Sequence, residues 1–551
     1  MTDGGVQFVL DGRDVWVADD RTTLLDALRE HLGVRSVKDG CSPQGQCGCC
    51  TVLVDGSPRV ACVTPVSRVR GKSITTVDGL DDADRWADAF CATGASQCGF
   101  CTPGIIVRLS ALSPESLADR AAVDKALLAH LCRCTGWQPI RDAARIMGGD
   151  PSAEGPTDRD FVRAARRAEI EGGVAQHVDP AVALGRGGFA DDTAPSVALV
   201  ALRRSDRRHT DSDDSDADDG GDIDAQWVVG ETLAKARQRS EKIQGRRTTA
   251  PASWPVDVPS GRWSQTLQTT WVEPAYLEPD ASWCPPGGEP VSSVGNGGAF
   301  GAKLGDEVGT AARDLAARHD RPVRTIWARE DVVRLGAKRP PLALAVAPHG
   351  AIAVRFVSPD RPELAEALRR SIVDAVGESG VGGDAELDVE AVECAGPTVS
   401  PDLRGAGWAE VVGAVAAWRA DPNESVVVST LSGARATVQI GRDGRVDVTV
   451  DAGPVLDEVV LRSYCIGAVH QALGMVRSES ISLDDEGRPL DLTIRSFGVL
   501  RAVDMPDVVV SLVDSGRCTE PVNGSDAVFA ATFGAAWRDA GFPERLPISA
   551  V

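Results

Sequence analysis

The sequence predicts a multidomain α+β chain: a small sheet carrying one helix, then a small helical bundle, then a longer region of mixed strands and helices. Three observations carry this. The chain has 551 residues, which at the usual domain size allows roughly three or four domains. Apolar residues alternate up to about residue 78, follow helical spacing from 82 to 148, and mix both patterns beyond about 185. Ten of the 14 cysteines fall at positions 41 to 134, and only Cys284, Cys394, Cys465 and Cys518 lie beyond.

Each element follows from local pattern. VQFVLDGRDVWVADD alternates apolar and polar residues on either side of Asp11-Gly12, a hairpin signal with a tight turn. TTLLDALREHLG places Leu24, Leu25, Leu28 and Leu32 at helical spacing with Gly33 as the stop, and TVLVDG and PRVACVTP return to strand chemistry. Between that helix and those strands lies the cysteine-rich loop 38–50. From 82 onward RWADAFCATGA, PGIIVRLSAL, ESLADRAAVDKALLAHL and PIRDAARIM read as helices, with Pro103 and Pro139 in first turns that tolerate proline. The stretch 149–184 is rich in Pro, Gly and charge and reads as a linker with one short helix. Beyond it, strands such as VALVAL, ATVQIG and VDVTVD alternate with helices such as EVGTAARDLAARH and CIGAVHQALGMV, and the acidic tract 211–225 reads as a solvated loop.

Charge and composition exclude several classes. Lys plus Arg number 58 against 80 Asp plus Glu, a net charge of −22, which phosphate backbones and anionic lipid surfaces would repel. Neither a nucleic acid nor a membrane is an expected partner. Hydrophobic residues make up 43%, enough to fill cores and exclude global disorder, and no run of eighteen or more apolar residues suggests a bilayer span. MTDGGVQFVLDG has no basic n-region or apolar h-region, so the expectation is a cytoplasmic protein without a secretory signal. A disulfide framework would not be packed into one end of such a chain, whereas a metal-binding module would be.

The cysteines form two sets. KDGCSPQGQCGCCTVLVDG with RVACVTP supplies Cys41, Cys47, Cys49, Cys50 and Cys62. Thiolates around a Gly-rich loop suit an iron–sulfur cluster, because sulfur matches iron in softness and glycines let backbone amides turn toward bridging sulfides. Cys47 and Cys50 give the plant-type C-x2-C and Cys62 the distant ligand, but Cys41 to Cys47 is C-x5-C, one residue longer than that pattern. Cys49 is the spare thiol, able to replace a neighbour. QCGFCTPG and LCRCTGWQP supply the second set, Cys98, Cys101, Cys132 and Cys134, at predicted helix ends. Zinc is the alternative, since four cysteines also close a zinc site, although zinc ribbons favour C-x2-C twice. Cys91 reads as a small buried hydrophobe.

CGCCTV, ACVTP, QCGFCTPG and CRCTGW together resemble the paired [2Fe-2S] domains of the molybdenum hydroxylases, the xanthine dehydrogenase and aldehyde oxidase family. The resemblance implies a β-grasp ferredoxin-like domain at 1–78, a four-helix [2Fe-2S] domain at 82–148 and a shortened α+β molybdopterin-binding region at 185–551. It implies that Gln97 approaches the pterin of a molybdenum cofactor. GRGGFADDTAP, WVVGETLAKAR, WVEPAYLEPDA, VGNGGAFGAK, STLSGARATVQIG and RAVDMPDVVVSLVD follow the family's later segments in order, which places Gly298, Ala299 and Phe300 against the cofactor and Arg404 on a faint counterpart of its Arg-Gly loop.

The departures concern catalysis. Only SWCPPGGEPVSS stands where the family has a Gln-containing segment, Leu304 stands at its substrate-orienting acid, and 340–430 is short. The family's catalytic Gly-Glu appears as Gly524-Ser525. A serine hydroxyl is a poor general base near neutral pH; Asp526 or Glu520 would have to substitute. The resemblance thus implies an oxidoreductase hydroxylating an N-heterocycle or aldehyde, a small-molecule substrate, and passing electrons through the second cysteine set to the first and on to a separate FAD subunit or other soluble acceptor. A homodimer is a further candidate assembly. The rival reading is a non-catalytic electron-transfer subunit with a degenerate molybdenum domain; a structural zinc protein is a third.

Overall fold

The computed structural model describes residues 5–18, 22–150, 159–204, 223–242, 250–303, 307–347, 350–358 and 361–550. Strands β1 (Gly5–Leu10) and β2 (Arg13–Ala18) pair antiparallel across Asp11-Gly12, whose φ angles of 49° and 77° are the left-handed values that a two-residue hairpin turn demands. Strands β3 (Thr51–Val54), β4 (Ser57–Val60) and β5 (Ser73–Thr75) complete a five-stranded sheet of order β2-β1-β5-β3-β4, with β5 parallel to β1 and antiparallel to β3. The helix expected over 23–32 is one α turn, Leu24–Asp26, running into a π turn, Ala27–His31. Leu24 and Leu25 in the α turn and Leu28 in the π turn are all buried in the core.

The helical unit contains α1 (Ala83–Thr93), α2 (Thr102–Ser110), α3 (Pro114–Ala118), α4 (Arg120–Ala126) and α5 (Gln138–Met147). The single helix expected over 115–131 is broken at Asp119, which takes φ −91° and ψ 113° and accepts hydrogen bonds from the Ala121 and Ala122 N–H groups. An aspartate cap at that point competes with helical continuation and restarts the helix.

Residues 149–184 are more than a linker. Of this stretch, 151–158 lie outside the described residues; α6 (Phe161–Gly172) buries Ala164, Arg167, Ala168 and Glu171, so one face of it is core. The acidic tract falls mostly in 205–222, also outside the described residues. Farther on come three four-stranded sheets: β7-β6-β10-β9, β13-β12-β11-β8 and β14-β15-β16-β17. Their strands are β6 (Leu199–Arg203), β7 (Trp227–Gly230), β8 (Gln265–Gln268), β9 (Ala281–Cys284), β10 (Val323–Ile326) and β11 (Leu342–Val346). The series continues with β12 (Ile352–Ser358), β13 (Leu387–Glu393), β14 (Val426–Ser429), β15 (Arg435–Ile440), β16 (Val446–Asp451) and β17 (Val508–Val513).

Around these sheets pack α7 (Glu307–His319), α8 (Pro362–Ser379), α9 (Trp408–Arg419), α10 (Glu458–Arg477) and α11 (Ser525–Asp539). Contrary to the sequence expectation, α10 is long and apolar enough to cross a membrane, with mean hydropathy 1.3, but 89% of that apolar stretch is buried within the fold. It is a core helix, and it runs directly behind the second cysteine set.

Candidate iron–sulfur and cofactor site

Cys41, Cys47, Cys50 and Cys62 are each at most 2% exposed. Their thiols meet in pairs: Cys41 with Cys47, and Cys50 with Cys62, with Cys41 also reaching Cys62. Backbone amides face the sulfurs, Gln44 N–H donating to Cys41 Sγ at 3.1 Å and Cys62 N–H to Cys50 Sγ at 3.4 Å. In the second set Cys98 and Cys134 sulfurs lie 3.6 Å apart, and Cys101 contacts Cys132. Cys132 is pulled to about 6 by the Cys101 thiol, with help from Thr135, while Cys101 is pushed well above the usual thiol range. In the first set the contacts run on from thiol to thiol, Cys49 to Cys47, Cys47 to Cys41, Cys41 to Cys62 and Cys62 to Cys50, and such a gathering of soft sulfur donors suits iron. Among the described residues, no three His, Cys, Asp or Glu side chains converge to hold a single ion.

The two sets share a boundary. Leu131 N–H donates to the Cys47 carbonyl at 3.0 Å, and Thr51 Oγ1 lies 3.1 Å from His130 Nε2. His130 is buried and pushed down to about 3 by burial, so it is a neutral contact. Cys49, 1% exposed, touches Cys47 and lies within electrostatic reach of Cys98 and Cys101. The spare thiol thus sits between the two sets.

Behind the second set, α10 approaches backbone to backbone. A Cβ on Gly467 would stand 1.8 Å from the Cys134 carbonyl oxygen, so only glycine fits. Gln97 Nε2 donates to that same carbonyl at 3.1 Å and to Ser463 Oγ at 2.9 Å, while its Oε1 is buried without a partner among the described residues. Arg133, between two cysteines, points the other way: Nε reaches the Pro274 carbonyl at 2.9 Å and the guanidinium grips Glu479, with Nη2 to Oε2 at 2.8 Å.

The residues assigned to a cofactor pocket by resemblance are partly brought together. Gly298 lies against Cys98 and Cys134. Ala299 and Phe300 are buried, and the Phe300 ring sits 4.0 Å from the Arg404 guanidinium and edge-on to Tyr464 at 6.2 Å. Arg404 donates to Ser525 Oγ at 2.9 Å, to Asp526 Oδ1 at 3.1 Å and to the Glu171 carbonyl at 3.2 Å, leaving Nη1 buried without a partner among the described residues. Burial raises the Asp526 carboxyl against the pull of Arg404. Glu520 is exposed on the surface, and Leu304 lies outside the described residues. Cavities of about 20 Å³, beside Gln97 and Tyr464, and about 10 Å³, beside Cys98 and Gly298, flank the second set; each has room for about one water.

Sequence reasoning missed Glu171. Its carboxylate accepts from Gly524 N–H at 3.1 Å and Ser525 N–H at 2.8 Å and pairs with Arg167, both side chains being fully buried. It caps the N-terminus of α11, where the helix dipole favours an anion. The available signal was Arg167 and Glu171 at i, i+4 on the face of α6 that otherwise carries Ala164 and Ala168. Tyr464 and Gln176, hydrogen-bonded at 2.7 Å, gave no such signal. Gln97 Oε1 and Arg404 Nη1, an acceptor and a donor both buried and unmatched among the described residues, are the kind of groups the polar edges of a pterin need, but the cavities beside Gln97 and Gly298 each hold only about one water; Ser525 and its capped backbone do not supply a carboxylate base.

Residues 8–72 match the 2Fe-2S iron-sulfur cluster binding domain family and residues 76–145 the [2Fe-2S] binding domain family; the chain carries two such domains. It is 38% identical over 135 residues to the nicotinate dehydrogenase small FeS subunit of Eubacterium barkeri, covering 23% of this chain and 84% of that subunit. It is 40% identical over 129 residues to a probable xanthine dehydrogenase subunit from Bacillus subtilis, covering 23% of this chain and 74% of that one. The fold of the whole chain is similar to the crystal structure of the aldehyde oxidoreductase from Desulfovibrio desulfuricans, with a TM-score of 0.67 at 15% identity over 97% of each chain. Thiol pairing, the two matched domains and these relatives converge: the chain belongs to the molybdenum hydroxylase family of xanthine dehydrogenases and aldehyde oxidases, as an oxidoreductase-type chain with two [2Fe-2S] centres.

Proposed function

We propose that the chain is an electron-transfer component of a molybdenum-hydroxylase system, with one cluster on Cys41, Cys47, Cys50 and Cys62 and the other on Cys98, Cys101, Cys132 and Cys134. The observation that carries this is the pairing of thiols in two sets whose loops are hydrogen-bonded to each other, Leu131 N–H to Cys47 O at 3.0 Å. Residues 1–78 and 82–148 form the transfer units, and 185–551 packs behind the second cluster through α10. The fourteen unpaired cysteines suit a reducing, cytoplasmic compartment.

A second reading, hydroxylation of an N-heterocycle or aldehyde with electrons leaving to a separate acceptor, is favoured by Gln97 Oε1 and Arg404 Nη1. Gln97, Gly298, Phe300 and Arg404 would hold the molybdenum cofactor, which when bound supplies a two-electron oxidation centre. What the chain's own residues do is clear at Ser525: Glu171 occupies its N–H, Arg404 its hydroxyl, and Asp526 is engaged by the same arginine. Among the described residues the carboxylates beside Ser525 are those of Glu171 and Asp526, and both are engaged, Glu171 by Arg167 and the α11 N–H groups and Asp526 by Arg404. Metal analysis after expression with cofactor supply separates the readings. About four iron per chain without molybdenum supports electron transfer alone, about four iron with near-stoichiometric molybdenum supports the hydroxylase, and zinc without iron overturns both.

A further inference from the structure

The loop that leads into the first cysteine set is held from outside its own unit. Lys38 is fully buried, with its ammonium on the Gly185 carbonyl at 2.6 Å and on the Asp192 carboxylate. Asp39 is engaged by Arg237 and accepts from the Ser42 N–H at 3.0 Å. Gly40 is held by Arg329, the first residue of the short helix Arg329–Leu335. The first two contacts are ion pairs; the third is not. Arg329 is fully buried and spends its guanidinium on three carbonyls, Nη2 on Gly40 at 2.6 Å and Leu277 at 2.9 Å and Nη1 on Tyr276 at 2.9 Å. The carboxylates nearby are engaged elsewhere, Glu273 by Lys338 at 2.9 Å and Asp280 by the Tyr276 hydroxyl at 2.6 Å. A buried guanidinium bonded only to carbonyls is costly to keep, which points to a role beyond packing.

Gly40 supplies that role. It immediately precedes Cys41, and a Cβ on it would stand 3.2 Å from the sulfurs of Cys47 and Cys49, so its backbone packs directly against the set. The Gly40–Cys41 peptide is trans, and in a trans peptide the carbonyl and the following N–H point in opposite directions. With the Gly40 carbonyl fixed on Arg329, the Cys41 N–H is turned away from the guanidinium. It donates to no group among the described residues, although Cys41 is only 1% exposed. Buried N–H groups are seldom left unpaired, and an iron–sulfur cluster on this set would bring sulfur acceptors. We propose that Arg329 is the positioning residue of the first centre: its grip on the Gly40 carbonyl aims the Cys41 N–H at the cluster and so raises the potential at which that centre accepts an electron. N–H bonds to sulfur and a nearby positive charge both favour the more negative, reduced cluster. The proposal rests on the electron-transfer reading, in which one electron leaves the second centre, oxidising it, and enters the first, reducing it, with no bond or proton moved.

The test is a redox titration of the iron-loaded full chain, followed by electron paramagnetic resonance so that the two centres are read separately. In Arg329→Met with its iron retained, the ratio of reduced to oxidised first centre at a fixed potential should fall about tenfold or more, a shift of about 59 mV for one electron. The second centre should move by less than about threefold. Arg329→Lys keeps the charge and a donor but cannot serve three carbonyls, so its first centre should fall by about threefold. An unmoved first centre in Arg329→Met, or an equal fall in both centres, overturns the proposal. Parental values in Arg329→Lys overturn it even where Arg329→Met fails to hold iron. Iron content and bleaching by dithionite are read on the parent chain as well. Absence of both there sinks the electron-transfer reading itself, whereas parental iron that bleaches reversibly beside an unmoved first centre in the variants sinks only the role of Arg329.

Discussion

Replacing Glu479 by glutamine tests how the second cluster loop is anchored to the C-terminal region. Arg133 and Glu479 are 8% and 0% exposed at the side chain, so solvent screens neither charge. Glutamine keeps the shape but leaves a buried guanidinium uncompensated, for which the cost is about 3–5 kcal/mol. With a urea dependence of about 3 kcal/mol per molar, the midpoint falls by roughly 1–2 M. The assay is urea unfolding followed by visible circular dichroism of the second cluster and by tryptophan fluorescence. Arg133→Met with Glu479→Met removes both charges and should recover most of the loss, short of about 1 kcal/mol for the bond to Pro274. Glu479→Gln within 1 kcal/mol of the parent, or a double variant weaker than either single one, would refute the view that the pair fails through an orphaned charge.

Three further outcomes follow. Gly467→Ala forces a methyl into the Cys134 carbonyl, where the separation would be 1.8 Å; we expect iron to fall from about four to about two per chain with the first cluster's spectrum intact, and unchanged iron would count against the close approach. Cys49→Ala should keep about four iron and Cys62→Ala only about two, read by iron analysis; loss of iron in Cys49→Ala would make that thiol a ligand. Burial pushes the Glu278 carboxyl to about 6 against the opposing pull of Lys303, from an unfolded value of 4.5. The folded state holds that proton more tightly, so the contribution is present below pH 4.5 and lost as pH rises through 6, about 2 kcal/mol. Stability of the native chain minus that of Glu278→Gln should fall by this amount between pH 4 and 7 in denaturant titrations, and parallel curves would contradict it.

The first 148 residues were legible because their chemistry is local: hairpin turns, proline at helix starts and cysteine spacings act within a few residues. Even there Asp119 split one expected helix, since a side-chain cap outcompeted the helical pattern. Beyond residue 148 the decisive contacts join distant positions. Gln97 meets Ser463, Arg133 meets Glu479, and Glu171 caps the backbone of Ser525; no periodicity encodes such pairs. Ser525 was singled out from sequence as a departure, but that its surroundings are filled by Glu171 and Arg404 depended on where α6 packs. Asp526 proved to be tied to Arg404 and Glu520 to be exposed, which spacing along the chain could not distinguish.

The backbone hydrogen bond from Leu131 to Cys47 has a kinetic meaning. Because the loop of one centre is stitched to the loop of the other by main chain, the gap an electron must cross between them is set by the fold and stays the same whichever partner is attached. On the proposed electron-transfer reading, control over flux lies at the two ends of the relay, in how electrons are delivered and how quickly they are collected, while the middle behaves as a fixed wire.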